Sequence, residues 1–242
     1  MNKIKIYILT FIFTLLLADN VMAGTDGPAS IYKIVIKKIE LCDDTSTIAS
    51  CKNPVILFSG TSDEIDIGAT EAGASAGSLG SIANAKFGTS YTHLQITMNR
   101  AMGISGSATP DAGASTCYTV NGSVGTHSLN SDGTNVSGSQ AETTLFAATV
   151  ATNHTTALNS LTTLTDTETA GTVIAGDTLF QYRKALTTNF TMTTGILPTV
   201  SIAFGTATAV GAAGNMTSDC DGTVSATLGM YGAEPDITVT IK

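Results

Sequence analysis

Few side chains in this sequence have the types and spacings that chemistry requires. Gly73-Ala-Ser-Ala-Gly77 spells the string GxSxG. In that motif a strained strand-to-helix turn exposes a serine nucleophile, served by an acid and a histidine later in the chain. His93, His127 and His154 do follow, and aspartates are plentiful. The turn also needs an alternating β/α pattern to build its parallel sheet, and the chain has none. With 24 glycines and abundant serine, composition alone produces the string. The three histidines stand apart, forming neither HxH nor HExxH, so a zinc hydrolase has no ligand set. Asp219-Cys-Asp-Gly222 opens like a calcium loop, which makes Asp219 and Asp221 the metal candidates. A full loop adds a third early ligand and a later glutamate, both missing here. A hairpin turn beside a disulfide explains the same residues. Asn121, Asn135, Asn153, Asn189 and Asn215 begin N-x-Ser/Thr triplets, which matter only in a glycosylating host. No catalytic residue and no cofactor is assigned, and the chain is expected not to be an enzyme.

The four cysteines, Cys42, Cys51, Cys117 and Cys220, permit three pairings. Cys42 with Cys51 closes a short loop straight after a strand, leaving Cys117 for Cys220. The loop-entropy model gives about 2.7 and about 4.7 kcal/mol for these two staples. Neither pair has CxxC spacing, so zinc is not expected.

Residues 1–23 read as a signal peptide. Lys3 and Lys5 precede an apolar run from Tyr7 to Ala18, and Val21-Met22-Ala23 places small residues at a cleavage site. The run is short for a membrane span, so no span is expected once the signal is removed. Its removal takes two of 11 basic and one of 19 acidic residues, making the balance more negative than −8. An acidic chain disfavours nucleic acid. Charged residues are 12%, aromatics 6% and Trp absent, so Thr, Ser, Asn and Gly must carry solubility. That composition fits a secreted, periplasmic or cell-surface β-protein. About 220 mature residues suffice for one all-β domain, here 24–242.

The elements that would position any site start with Ile31-Tyr-Lys-Ile-Val-Ile-Lys-Lys-Ile-Glu-Leu-Cys42. Tyr32, Ile34 and Ile36 share a face at period two, and Ile39 and Leu41 resume one residue out of phase. A β-bulge at Lys37-Lys38 would restore the register. Pro54–Phe58 and Glu64–Ile67 read as further strands, and Leu79 and Ile82 allow one short helical turn. In Tyr91–Met98, Thr92, Leu94, Ile96 and Met98 face one way. Tyr91, His93, Gln95 and Thr97 face the other, with His93 expected in water. About residues 103–175 the chain becomes a polar Gly/Ser/Thr-rich insertion. Within it Cys117–Val120 and Leu145–Val150 read as short strands, and Asp132-Gly133 as a hairpin turn. Strand signals return at Leu179–Tyr182, Phe190–Met192, Thr199–Phe204, Thr223–Met230 and Asp236–Lys242. In the last, Ile237, Val239 and Ile241 alternate with polar residues. The expected fold is an all-β, mainly antiparallel β-sandwich with that long insertion.

Tyr32-x-Ile-x-Ile-Lys-Lys-Ile-Glu-Leu, then Ile65-Asp-Ile67, then Gly88-Thr-Ser-Tyr-Thr-His-Leu-Gln-Ile96 resembles secreted bacterial β-sandwich domains of the transthyretin-like type. The resemblance spans residues 31–98 and implies a scaffold with no catalytic residues to carry over. The composition is also similar to fimbrial subunits. The expected function is a secreted, non-enzymatic structural or surface-binding protein whose partner is an unknown protein or cell-surface component. The alternatives are a filament subunit assembled by β-strand exchange, and a calcium or small-ligand binder.

Overall fold

The opening apolar segment divides at Val35 and feeds two different sheets. The computed structural model describes residues 26–48, 50–69, 82–110, 115–121, 133–146, 163–164, 170–171, 178–193, 198, 200–213, 220, 229–233 and 235–241. Its strands are β1 (Ala29–Ile34), β2 (Ile36–Asp43), β3 (Val55–Ser59), β4 (Ile65–Asp66), β5 (Ser90–Asn99) and β6 (Ala101–Ala108). Then come β7 (Cys117–Thr119), β8 (Gly133–Thr134), β9 (Thr143–Phe146), β10 (Thr163–Leu164) and β11 (Ala170–Gly171). The last are β12 (Leu179–Thr191), β13 (Val200–Gly205), β14 (Val210–Ala213), β15 (Gly229–Gly232) and β16 (Asp236–Ile241). The signal segment, Gly73–Gly77, His127, His154, Asp219 and Asp221 lie outside the described residues.

The fold is all-β and antiparallel. One sheet runs β4-β1-β6-β7-β8, with β9 also paired to β6, and the other runs β12-β5-β2-β3. β5 and β6 change sheets at Arg100 as β1 and β2 do at Val35, and Asn99 N donates to Val35 O at 2.9 Å across that corner. Two strands bending together carry the chain between sheets without losing their mutual hydrogen bonds. β10–β11, β13–β16 and β14–β15 form three further antiparallel ribbons.

The expected bulge is present. Ile36 pairs with Met98 but Lys38 with Thr97, which leaves Lys37 as the extra residue. Tyr32, Ile34 and Ile36 before it, and Ile39 and Leu41 after it, are all buried. Buried side chains of the two larger sheets and of the β13–β16 and β14–β15 ribbons join one apolar cluster, running from Ile34, Ile104 and Leu145 through Ile39, Leu94 and Ile96 to Phe204, Ile237 and Val239.

Three expectations need correction. Residues 103–108 do not begin an insertion: they lie in β6, which pairs with β1, β7 and β9, and Ile104 is fully buried. The glycines there serve close packing, since a Cβ on Gly106 would overlap Pro28 O and the Val210 side chain. Gly133 is not a turn residue: it sits in β8 opposite Thr119. The His93-Gln95-Thr97 face of β5 is not in water, because Gln95 and Thr97 are buried and His93 half-buried. β14 was without a signal in the sequence, and of the strand expected at Thr223–Met230 only Gly229 and Met230, in β15, are described.

Candidate functional site

Both disulfides form as the spacing suggested. Cys42 joins Cys51 with Cα atoms 5.2 Å apart, and Cys117 joins Cys220 at 5.5 Å. Among the described residues no three His, Cys, Asp or Glu side chains gather to hold a metal, and no helix is long and apolar enough to cross a membrane.

The chemistry-bearing side chains that do converge lie on the outer face of the second sheet, opposite the apolar cluster. Strand register brings Glu40 of β2, Gln95 of β5 and Arg183 of β12 into one row. Gln95 Nε2 donates to Glu40 Oε2 at 2.7 Å, while Gln95 Oε1 accepts from Arg183 Nε at 2.9 Å and from Nη2. Arg183 Nη1 donates to the carbonyl of Ile48 at 2.6 Å. Lys38 Nζ approaches Glu40 Oε1 at 3.3 Å. Glu40, Gln95 and Arg183 are only 4%, 5% and 3% exposed. Charges so enclosed persist only when paired and hydrogen-bonded, and the amide between them bonds to each. Burial lowers the Arg183 pKa from its usual height, opposed by the Glu40 charge. In the next row His93 lies between Cys42 and Ala185, and Thr92 Oγ1 is 2.8 Å from its Nδ1. Burial, then the charge of Arg183, holds His93 below its ordinary 6.5. In the row on the other side, Thr97 Oγ1 has no partner among the described residues.

Asp43 anchors the loop beside this ladder. Its Oδ1 accepts from Thr45 N at 3.0 Å and Thr45 Oγ1 at 2.6 Å, and its Oδ2 from Asn53 Nδ2 at 2.6 Å. The Thr45 hydroxyl, then Asn53, hold its pKa below the ordinary 3.8. Asp66 fills a similar role, its Oδ1 accepting from Tyr32 N and Gly68 N, both at 2.9 Å. On the first sheet Lys33 Nζ reaches both oxygens of Glu142 at 2.9 Å, and that contact raises its pKa.

Chemically the row is a brace. An amide neither takes up nor releases a proton in the accessible range, so Gln95 transmits position between the two charges rather than a proton. Glu40, Gln95 and Arg183 escaped the sequence reading. Nothing in the local pattern sets Gln95 and Arg183 apart, since β5 and β12 carry several other polar residues. Comparison of the chain with family models, with curated proteins and with solved structures found no match.

Proposed function

We propose that this chain is a secreted, non-enzymatic β-sandwich that acts as a structural or surface-binding scaffold outside the cytoplasm. The observation carrying the proposal is the Glu40–Gln95–Arg183 row, whose buried charges are spent on the Gln95 amide, on Lys38 and on Ile48 O. A catalytic pair needs free lone pairs or donors aimed at a substrate, whereas these are consumed in bracing a loop to a sheet. The two staples support an oxidising compartment, where disulfides persist. The likeness of residues 31–98 to transthyretin-like domains supports a scaffold role. The cell-surface partner is proposed to be a protein or envelope component.

A filament subunit is the second reading, favoured by the clean alternation of β16, whose Ile237 and Val239 are buried and whose Thr238 and Thr240 are exposed. Pairing of β16 with β13 of its own chain favours the self-contained scaffold. Fractionating cells with a thiol-blocking reagent tests the proposal. The expected result is a chain processed near Gly24, outside the cytoplasm, with all four cysteines unreactive. A full-length cytoplasmic chain with reactive thiols would overturn it.

A further inference from the structure

The connection from β2 to β3 is a ribbon folded back over its own sheet. At its base Asp43 N donates to Lys52 O at 3.2 Å, beside the Cys42–Cys51 staple. At its tip Thr47 and Ser50 exchange backbone hydrogen bonds of 2.9 and 3.0 Å. Ile48 between them offers its carbonyl to Arg183, on the second strand along from β2, so the tip reaches past β5. This is the outer face of the sheet, which a two-layer fold would leave to water. Yet three polar residues are sealed there beside the ribbon.

The two staples differ in access. Cys117 and Cys220 are both fully buried, as is Cys42, but Cys51 is only half-buried. An incoming thiolate must reach a sulfur along the S–S axis, and exchange rates follow that access. The staple on the ribbon therefore includes one cysteine within partial reach of solvent, which the other staple lacks.

We propose that residues 44–48 and 50–52 belong to a redox-gated strap: the Cys42–Cys51 disulfide holds the ribbon over the Glu40–Gln95–Arg183 row, and reduction of that disulfide alone by a dithiol lets it lift. In the reaction one thiolate of the dithiol attacks Cys51 Sγ, and Cys42 Sγ departs as a thiolate and takes a proton. The second thiol then attacks the mixed disulfide and releases Cys51 as a thiol. Two electrons pass to the staple, and the dithiol ends as a disulfide. Lifting breaks the bond from Arg183 Nη1 to Ile48 O and opens one end of the polar row to solvent. The sheet beneath stays, because β2–β5 and β5–β12 pair along most of their length over the apolar cluster.

Amide hydrogen exchange of the folded protein, with and without dithiothreitol, tests this. Thr47 N and Ser50 N should exchange about tenfold faster or more after mild reduction, while amides of β5 keep their protection. Mass analysis should show Cys42 and Cys51 alkylated and Cys117–Cys220 intact. The Cys42→Ser, Cys51→Ser double variant should show the fast exchange without reductant. Arg183→Lys, which keeps the charge but loses the fork, should quicken the same two amides in the oxidised protein. Simultaneous reduction of both disulfides would overturn the gate. So would unchanged tip amides in the double variant, or loss of β5 protection together with the tip.

Discussion

Arg183 shows how a single buried group can tie three parts of a fold together. Its fork meets Gln95, its remaining amino group holds the Ile48 carbonyl, and its charge balances Glu40 through the amide. Replacing it by Met keeps the bulk but strips Gln95 Oε1 of its Arg183 donors and leaves Lys38 as the one cation of this row beside Glu40. Breaking an enclosed pair by removing one member costs about 3–5 kcal/mol. Arg183→Met should therefore lower the urea midpoint by an amount equivalent to about 3 kcal/mol or more. A change under about 0.5 kcal/mol, the range of ordinary surface substitutions, would mean the row is not a brace. His93 gives the pH dependence. The folded state holds its proton less tightly than the ordinary 6.5 of the unfolded chain. As pH falls through 6.5 the unfolded chain protonates first, so its stability relative to the fold improves. Stability conferred by neutral His93 is thus fully present above 6.5 and is lost as pH falls toward the folded value. Asp43 behaves likewise lower down, its contribution lost below 3.8. His93→Gln should flatten the stability profile as pH falls through 6.5 and leave the acid limb. An unaltered slope there would dissociate His93 from it.

At the scale of elements, the alternation of apolar side chains was legible wherever a strand keeps one oily face. The β1–β2 segment is the clearest case, because the phase slip between Ile36 and Ile39 needs one extra residue and the sheet places it at Lys37. Deleting Lys37 removes the bulge and turns Ile39 and Leu41 to the outer face, or turns Tyr32, Ile34 and Ile36 there instead. Either way several buried aliphatic side chains lose the core, each worth about 1.5–3 kcal/mol. The deletion should abolish cooperative unfolding, and a two-state melt near that of the parent would refute the bulge's role. β6 was illegible for a physical reason. Gly103, Ser105, Gly106 and Ser107 carry turn chemistry in sequence, but here Gly106 lacks a Cβ because Pro28 and Val210 pass close over it, and Gly103 because Glu142 and Lys33 do. The need for a missing Cβ is a property of the neighbour, so no period within β6 reveals it. The candidate row was hidden for a related reason, since residues 40, 95 and 183 meet only through the register of three strands. The staples belong to this scale too. Cys117–Cys220 closes a loop of separation 103 and Cys42–Cys51 one of 9. Chain entropy then makes Cys117→Ala more destabilising than Cys51→Ala by about 2 kcal/mol. Denaturant titration of both variants checks the order, and a reversed order would show that local packing outweighs loop length.

For the whole molecule the deciding element is β16, where the two functional readings part. Ile237 and Val239 enter the common apolar cluster, and Ile241 packs against it from a half-buried position. Register sets Val239 opposite Ile202 of β13 and Ile237 opposite Phe204, so the ribbon presents one apolar face to the core. Val239 is 2% exposed. An unpaired carboxylate at that position would be desolvated without a partner, a penalty of several kcal/mol per ion even after relaxation. That approaches the whole stability of a domain, typically about 5–15 kcal/mol. If the chain is a self-contained scaffold, Val239→Asp should yield an unfolded or aggregated monomer with lost β-sheet circular dichroism. If β16 instead leaves to complete a neighbouring subunit, the same change should leave a folded monomer that no longer assembles into higher-mass species. Size-exclusion and circular dichroism on this one variant separate the two. A soluble, folded monomer whose melting temperature is unchanged, from a parent that is itself monomeric, would contradict both, because it would place the closing strand in solvent.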